Sequence, residues 1–346
     1  MSKKIPAHEG TTGTRRQILG GFSLMALAAG AAATGAVGGV ALTASSGPAM
    51  AAPSTKRRKM VFIQHQPHTV STAWSEGLAE VFKVQGNIDY QLLDGQNKAD
   101  VQISLMDTVI NDKVAAIFLQ PADSVALAPS VKKAARAGIP VITLNIDATA
   151  PHAAHIEMSH YLGAIEIAKA MGDKMGGQGK VVIINAPPGQ TVRDARTNGF
   201  MEGLKRHHPG IKVIADQVAD WDRKKAQDVF STLLAANPDI GGVYGVNDSM
   251  ALGAVDVAKT KGIIDKVVIF GNDGEKDALE SIERGELAGT QFTDVFQQGR
   301  FAAAVATVLA TGGVPATAFA EQGYLLMPYV IATKETVASI QPSQRW

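Results

Sequence analysis

From residue 60 onward, short runs rich in Val, Ile and Phe alternate with stretches of helical length whose apolar positions recur every three or four residues. The runs predict strands at Met60–Gln64, Ile88–Leu93, Val114–Leu119, Pro140–Leu144, Lys180–Asn185, Lys212–Ala215, Gly242–Gly245, Val267–Phe270 and Ala288–Phe292. Many are apolar throughout, the pattern of strands covered on both faces by helices. Start and stop signals predict helices between them. One covers Ser124–Ala137 and stops at Gly138, with Pro140 beyond the turn; another covers Leu162–Met175 before Gly176-Gly177. A third covers Arg223–Ala236 before Asn237-Pro238. Such alternation predicts an α/β fold on doubly wound parallel sheets.

The rhythm runs twice. Gly138 through Asn145 closes a first set of four strand–helix units, and a second set of similar length begins near Lys180. Each is the size of a small domain. Ligands of open parallel sheets sit beyond the carboxyl ends of the strands. The residues just after each predicted strand therefore carry the functional weight.

The first fifty residues follow a different pattern. Arg15-Arg16 stands directly before an uncharged, Ala- and Gly-rich run from Ile18 to Met50, which ends at the small-x-small sequence Ala49-Met50-Ala51. A basic region, an apolar region and a cleavage site in that order predict an export signal over residues 1–51. The paired arginines point to the twin-arginine route. The run is long enough to span a membrane, but it has few of the large apolar side chains that a stable span uses. Cleavage and a soluble periplasmic protein are expected.

Beyond residue 51 the chain carries 29 basic and 31 acidic side chains, a net of −2, since only Lys3, Lys4, Arg15, Arg16 and Glu9 precede that point. Such a balance offers no field for holding nucleic acid. The one basic run, Lys56-Arg57-Arg58-Lys59, reads as a solvated tail. The chain has no cysteine, which excludes disulfides, thiolate zinc sites, thiol catalysis and a lipidated cysteine anchor.

The strand ends are polar. Gln64-His65-Gln66-Pro67-His68 leads into a helix that carries Trp74, and Asn145-Ile146-Asp147 follows the fourth strand. Later strands are followed by Pro187 to Gln190 with Arg193, Asp194 and Arg196, by Asp220-Trp221-Asp222-Arg223, by Asn247-Asp248 and by Asn272-Asp273. No Ser–His–Asp order and no nucleophile with a base stands out. The mixture suits a neutral polyhydroxylated ligand. Carboxylates supply paired acceptors, guanidinium a fork of donors, and amides one of each. An indole offers a flat apolar face to the C–H side of a sugar.

Plainer roles exist for the same residues. Arg196 could pair with Asp194 or Glu202 on a helix surface, and Asn247 and Asp273 could cap the helices that follow them. Asp248 looks the better cap of its pair, which would leave Asn247 free. Trp221 and Trp74 could be packing residues. His65 and His68 flank Pro67 in a loop, with His152, His155 and His160 elsewhere, so no metal site is expected. Gly176-Gly177-Gln178-Gly179-Lys180 precedes a strand where a phosphate loop follows one, and it reads as a helix stop. No Gly-x-Gly-x-x-Gly follows the first strand, and no cofactor is expected.

Several stretches resemble, by their order and spacing together, the periplasmic sugar-binding proteins of ribose-binding type that feed ABC importers. They are Leu93 to Asn97, Gly138 to Leu144, Arg196 to Phe200, Asn247 to Ala254 and Gly271 to Gly274, and the likeness runs from about Met60 to Thr333. It implies two α/β lobes joined by three crossovers that close on a ligand. One lobe would hold residues 60–159 and 294–326, the other 160–293 and 327–340. Arg196, Asn247 and Asp273 stand at the family's ligand-binding arginine, asparagine and aspartate. Trp221 stands at its aromatic position, and Thr293 lies near a hinge where glutamine is frequent. The first lobe departs: Asn145 replaces an aspartate, Ile146 an arginine and His68 an asparagine, while Val70 and Ser71 replace paired aromatics. Trp74, one turn further on, is placed to supply the missing face.

The expected ligand is a pentose, polyol or cyclitol, held by Gln64, His68, Trp74, Asn145, Arg196, Trp221, Asn247, Asp273 and Thr293 without catalysis. The implied partner is an inner-membrane permease, with the protein itself a monomer. Two other classes compete: a sensor presenting the same ligand to a chemoreceptor or histidine kinase, and an exported sugar-active enzyme using Asp222 with Asp273 or Asp147. A repressor with related lobes would carry a DNA-binding segment where the export signal stands.

Overall fold

Met60, Val61, Phe62 and Ile63 are consecutive and all fully buried, so both faces of their strand are covered. The same pattern recurs through the computed structural model, which describes residues 57–312 and 324–346. The paired arginines, the apolar run and the expected cleavage site lie outside the described residues. In chain order the first elements are β1 (Arg58–Gln64), α1 (Thr69–Gln85), β2 (Ile88–Asp94), α2 (Ala99–Asn111), β3 (Ala116–Leu119), α3 (Ala128–Arg136), β4 (Val141–Leu144) and β5 (Ala154–Met158). Next come α4 (His160–Lys174), β6 (Gln178–Asn185), α5 (Thr191–His207), β7 (Gly210–Val218), α6 (Arg223–Ala236) and β8 (Ile240–Gly245). The remainder is α7 (Asp248–Thr260), β9 (Val268–Phe270), α8 (Lys276–Arg284), β10 (Gly289–Phe292), α9 (Val295–Ala310), β11 (Tyr324–Met327) and β12 (Val330–Thr333).

The strands form two six-stranded sheets, ordered β11-β5-β4-β3-β1-β2 and β12-β10-β9-β8-β6-β7. Every pairing is parallel except β10 with β12, an antiparallel edge. Two α/β lobes built on parallel sheets are therefore present. The chain passes between them three times: from β5 to α4 at Ser159, from β10 to α9 at Thr293-Asp294, and from β11 to β12 at Pro328-Tyr329. Thr293 Oγ1 donates to the Pro328 carbonyl (2.9 Å), and Gln291 Nε2 donates to the Ser159 carbonyl (3.1 Å). Side chains at the end of β10 thus bind the three crossovers to one another. Among the described residues no helix is long and apolar enough to cross a membrane.

The nine expected strands are present with shifted ends. Three further strands are found. β5 holds His155 and Glu157 among its buried residues, so its sequence lacks an apolar run. β11 and β12 are short edge strands, with Tyr324, Leu326 and Val330 exposed. The first set of units consequently does not end at Asn145; β5 continues it. Helix α3 begins at Ala128 rather than at Ser124. The Asp123 carboxylate accepts from the amides of Val125 (2.8 Å) and Ala126 (2.7 Å), folding residues 123–126 into a turn.

Helices α1 and α9 cross at very short range, and this contact positions two residues of the site described below. A Cβ at Gly299 would lie 2.4 Å from the Trp74 carbonyl oxygen, and one at Gly77 2.4 Å from that of Phe296. Gly299→Ala should push α9 off α1 and lower stability by about 1–3 kcal/mol, as overpacking does. Chemical denaturation of the variant against the parent measures this, and an unchanged midpoint would disprove the close-packing argument.

Candidate functional site

The cleft between the lobes lies beyond the carboxyl ends of both sheets, where open parallel sheets place their ligands. The first lobe contributes His65, His68, Val70, Trp74, Gln120, Asn145 and Ile146 to its wall. The second contributes Val192, Arg196, Trp221, Asn247 and Asp273. Seven of the nine expected ligand residues therefore converge here. Gln64 and Thr293 do not. Gln64 stands at the end of β1, where its backbone carbonyl accepts from the Gly95 amide and Gln102 Nε2 while its side-chain Oε1 is buried with no partner among the described residues, and Thr293 belongs to the crossovers.

Arg196 is only 1% exposed, so its charge must be met by the protein. Nη2 bonds to Asp273 Oδ1, Nη1 donates to the Val246 carbonyl (2.5 Å), and Nε donates to His160 Nδ1 (3.3 Å). Burial and the neighbouring guanidinium hold the His160 pKa well below the usual histidine value, so its ring stays neutral and can accept. The surface pairing with Asp194 or Glu202 is not what forms. Those side chains bond Arg193 and Arg206 instead.

Asn247 is the N-cap of α7, its Oδ1 accepting from the Met250 amide at 2.9 Å. Asp248 is not the cap of this pair, contrary to the expectation from sequence. Its buried carboxylate accepts from Thr290 Oγ1 (2.6 Å) and from the amides of Gly274 (2.7 Å) and Glu275 (2.8 Å), which fixes the turn that carries Asp273. Capping uses only the oxygen of Asn247. Its Nδ2 is buried with no partner among the described residues. Asp273 does not cap a helix either; Glu275 is the residue before α8.

Trp221 sits at φ 62° directly after Asp220 at φ 52°, two left-handed non-glycine residues in succession. This turn aims the indole at the cleft, and Nε1 donates to Gln190 Oε1 at 2.9 Å. Trp74 is fully buried. Its Nε1 donates to Gln298 Oε1 (2.9 Å), while Gln298 Nε2 donates to Asn145 Oδ1 (3.0 Å). Gln298 on α9 thus sets both first-lobe residues, and Asn145 itself is at φ 55°.

Three glutamines and a histidine join the site that sequence reasoning did not single out as contacts: Gln120, Gln190, Gln298 and His65. His65 Nδ1 lies 2.8 Å from Gln120 Oε1, an acceptor, so Nδ1 carries the proton and Nε2 is left as an acceptor. Nε2 is buried and has no partner among the described residues. Burial, only partly offset by Gln120, pulls the His65 pKa down to about 4. His68 is the N-cap of α1, and its pKa is lowered by burial. Of the remaining histidines weighed as metal ligands, His152 and His155 meet Asp147 on the hinge side, outside the cleft wall.

The lobes are closed on one another. Ser124 N donates to the Gly189 carbonyl (2.9 Å), Thr191 N to Ser124 Oγ (3.2 Å), Asp147 N to Thr191 Oγ1 (2.8 Å) and Gln190 Nε2 to the Ala122 carbonyl (3.1 Å). Gly189, at φ 93°, makes the approach feasible: a Cβ there would lie 2.6 Å from Asp123 Oδ2. At the same mouth His68 Nε2 comes within 3.8 Å of Glu275 Oε1, on the other lobe.

Burial, and then the charge of Asp273, raise the Glu275 pKa to about 7. Between its ordinary value of about 4.3 and that level, the folded protein keeps a proton that the unfolded chain has lost. Stability therefore falls as pH rises through this window. Buried Asp248, also raised, acts in the same sense, whereas His68, lowered, acts oppositely at acid pH. Glu275→Gln should reduce the fall in melting temperature between about pH 5 and about pH 8. Parallel melting curves for variant and parent across that range would remove Glu275 from this role.

Residues 60–313 match the family described as periplasmic binding protein domain. The chain is 31% identical over 283 residues to the xylitol-binding protein of Mycolicibacterium smegmatis, covering 81% of this chain and 80% of that one. It is 33% identical over 200 residues to the ribose import binding protein of Bacillus subtilis, covering 58% of this chain and 64% of that one. The fold superposes with a TM-score of 0.74, at 26% identity, on an ABC transporter periplasmic solute-binding protein of Actinobacillus succinogenes with bound D-allose, over 82% of this chain and 100% of that one. With two parallel-sheet lobes closed over a polar cleft, the chain belongs to the periplasmic binding protein family, among its sugar-binding members of ribose type.

Proposed function

We propose that the chain is the solute-binding component of an ABC importer and holds one neutral monosaccharide or polyol, of pentose or alditol size, between its lobes. One observation carries the reading. His65 Nε2 and Asn247 Nδ2, on opposite walls, are buried polar atoms with no partner among the described residues. Leaving such an atom unpaired costs about 1–3 kcal/mol. A hydroxyl group repairs both kinds of deficit, donating to the imidazole nitrogen and accepting from the amide. The charges on the wall, Arg196 and Asp273, already neutralise each other, which favours an uncharged ligand. Trp221 and Trp74 supply apolar faces. Xylitol and ribose, the ligands in the relatives' names, are both five-carbon molecules rich in hydroxyl groups, the chemistry this wall fits.

Ligand contacts from both lobes exist only when the lobes are shut, so binding draws the population toward the closed form. That form would dock on the importer's permease. Export through the twin-arginine route and cleavage near Ala51 complete the reading and rest on the N-terminal sequence. What supports binding without turnover is the placing of the carboxylates. A glycosidase flanks its substrate with two. Asp222 caps α6 through the Lys225 amide (2.7 Å) and Asp147 lies outside the cleft wall, which leaves Asp273 without a partner acid there.

A thermal-shift screen of pentoses, hexoses, alditols and inositols should find a compound that raises the melting temperature by roughly 5 °C or more at a hundredfold excess over its dissociation constant. Calorimetry of that compound on Asp273→Asn should show affinity reduced by about 30- to 100-fold, the equivalent of roughly 2–3 kcal/mol. A screen without hits, or a variant that binds like the parent, overturns the proposal. Gly189→Ala tests closure separately: a left-handed alanine and the clash with Asp123 should weaken binding about tenfold, at roughly 1–2 kcal/mol. Undiminished affinity there would mean that the mouth closes in some other way.

A further inference from the structure

On the hinge side of the first lobe, Asp147, His152 and His155 bring one ligand atom each to within 4.8 Å of one another. His152 Nε2 lies 3.2 Å and His155 Nδ1 3.4 Å from Asp147 Oδ1. A tetrahedral Zn²⁺ that holds imidazole and carboxylate at about 2.0–2.2 Å separates neighbouring ligand atoms by about 3.4 Å. Both spacings to Asp147 are those of such a shell, and the two imidazole nitrogens lie within 4.8 Å of each other.

The outer contacts aim the rings. His152 Nδ1 is 2.8 Å from the Ala150 carbonyl, which can only accept, so that nitrogen carries the proton and Nε2 presents its lone pair. His155 Nε2 is 3.1 Å from Glu157 Oε2, which in the same way leaves the Nδ1 lone pair facing Asp147. A carboxylate or carbonyl behind each ring is the arrangement that orients metal-bound histidines. All three inner atoms crowd the hydroxyl of Thr143, at 3.0 Å from Asp147, 2.9 Å from His152 and 2.7 Å from His155. A hydroxyl has one proton. It satisfies one of these acceptors; Asp147 Oδ1 also accepts from the Ala148 amide (2.8 Å), and an imidazole can bond Asp147 only by carrying a second proton, the place a bound ion would take. A recess lined by Asp147, His152, His155, Thr191 and Tyr324 opens onto the cluster and gives an ion a way in.

We propose that Asp147, His152 and His155 bind a divalent transition-metal ion of the Zn²⁺ class. The two imidazoles are borderline nitrogen ligands that favour such an ion over Ca²⁺ or Mg²⁺, which take oxygen ligands, and the carboxylate completes the set. The Asp147 amide donates to Thr191 Oγ1 of the second lobe at 2.8 Å, so the ion braces the loop on which that lobe closes.

The test is calorimetric titration of the chelator-stripped protein with ZnCl₂, with CoCl₂ as a visible-absorption probe and with no sugar present. The parent should take up one equivalent at this site and gain in melting temperature. His152→Ala and Asp147→Asn, both at part-exposed positions, should each lose that equivalent and the thermal gain while melting cooperatively. Glu157→Gln should keep the site but weaken it by about 10- to 100-fold, as loss of a supporting carboxylate does. Absence of binding by the parent overturns the proposal. So does uptake that is unchanged in both ligand variants, which would assign the ion to another pair such as His208 with Asp173. The sugar reading stands or falls independently, because none of these measurements uses a sugar.

Discussion

A guanidinium removed from water has to be met from several sides, and the second lobe is arranged around that requirement. Arg196 projects from α5, and its partners come from three other places: Asp273 after β9, the Val246 carbonyl after β8 and His160 at the start of α4. Burying such a pair costs several kcal/mol per ion unless the geometry and the additional hydrogen bonds are good. The cost is reduced here by fixing Asp273 and His160 from behind. Asp248 holds the backbone turn beside Asp273, burial keeps His160 neutral, and the crossovers place α4. The floor of the cleft and the hinge are therefore one continuous polar network, in which the donors needed for a hydroxylated ligand are already oriented.

The same economy shows in the backbone. Asn145, Asp220, Trp221 and Asp273 all have positive φ without being glycine, and all lie at strand ends that face the cleft or hold its wall. Each such conformation costs on the order of 1–3 kcal/mol and persists only where surrounding structure over-determines it. Helix caps, the Gln298 clamp and the Asp248 carboxylate provide that determination. Orientation is settled when the protein folds, and a ligand does not have to supply it on binding.

Much of this architecture was legible in the chain because strands buried on both faces leave unbroken apolar runs, and parallel sheets place their ligands at strand ends. Arg196, Trp221, Asn247 and Asp273 were found by that rule together with the resemblance. What escaped was non-local. His65 and Gln120 are 55 residues apart, Gln190 and Trp221 are 31 apart, and Gln298 reaches Trp74 across 224. A glutamine has no sequence signature of its own; its role is set by whichever partner the fold delivers. β5 was missed for a related reason, since its buried His155 and Glu157 are satisfied by each other and by side chains from β4 and the loop beyond it. The cap assignment at residues 247–248 failed because Asp248 is claimed by Thr290, a partner 42 residues away.

The triple passage between lobes has a bearing on biosynthesis. Ala302, Ala303 and Ala306 of α9 pack in the same cluster as Trp74, Leu78 and Phe82 of α1, and β11 completes the sheet beside β5. Both segments leave the ribosome only after the whole intervening lobe has been made. At about 5–20 residues per second, the nascent first lobe waits several seconds with a tryptophan and a phenylalanine uncovered. The first lobe therefore cannot complete its core until α9 and β11 have been made, whereas the second lobe's core comes almost wholly from one continuous stretch of chain.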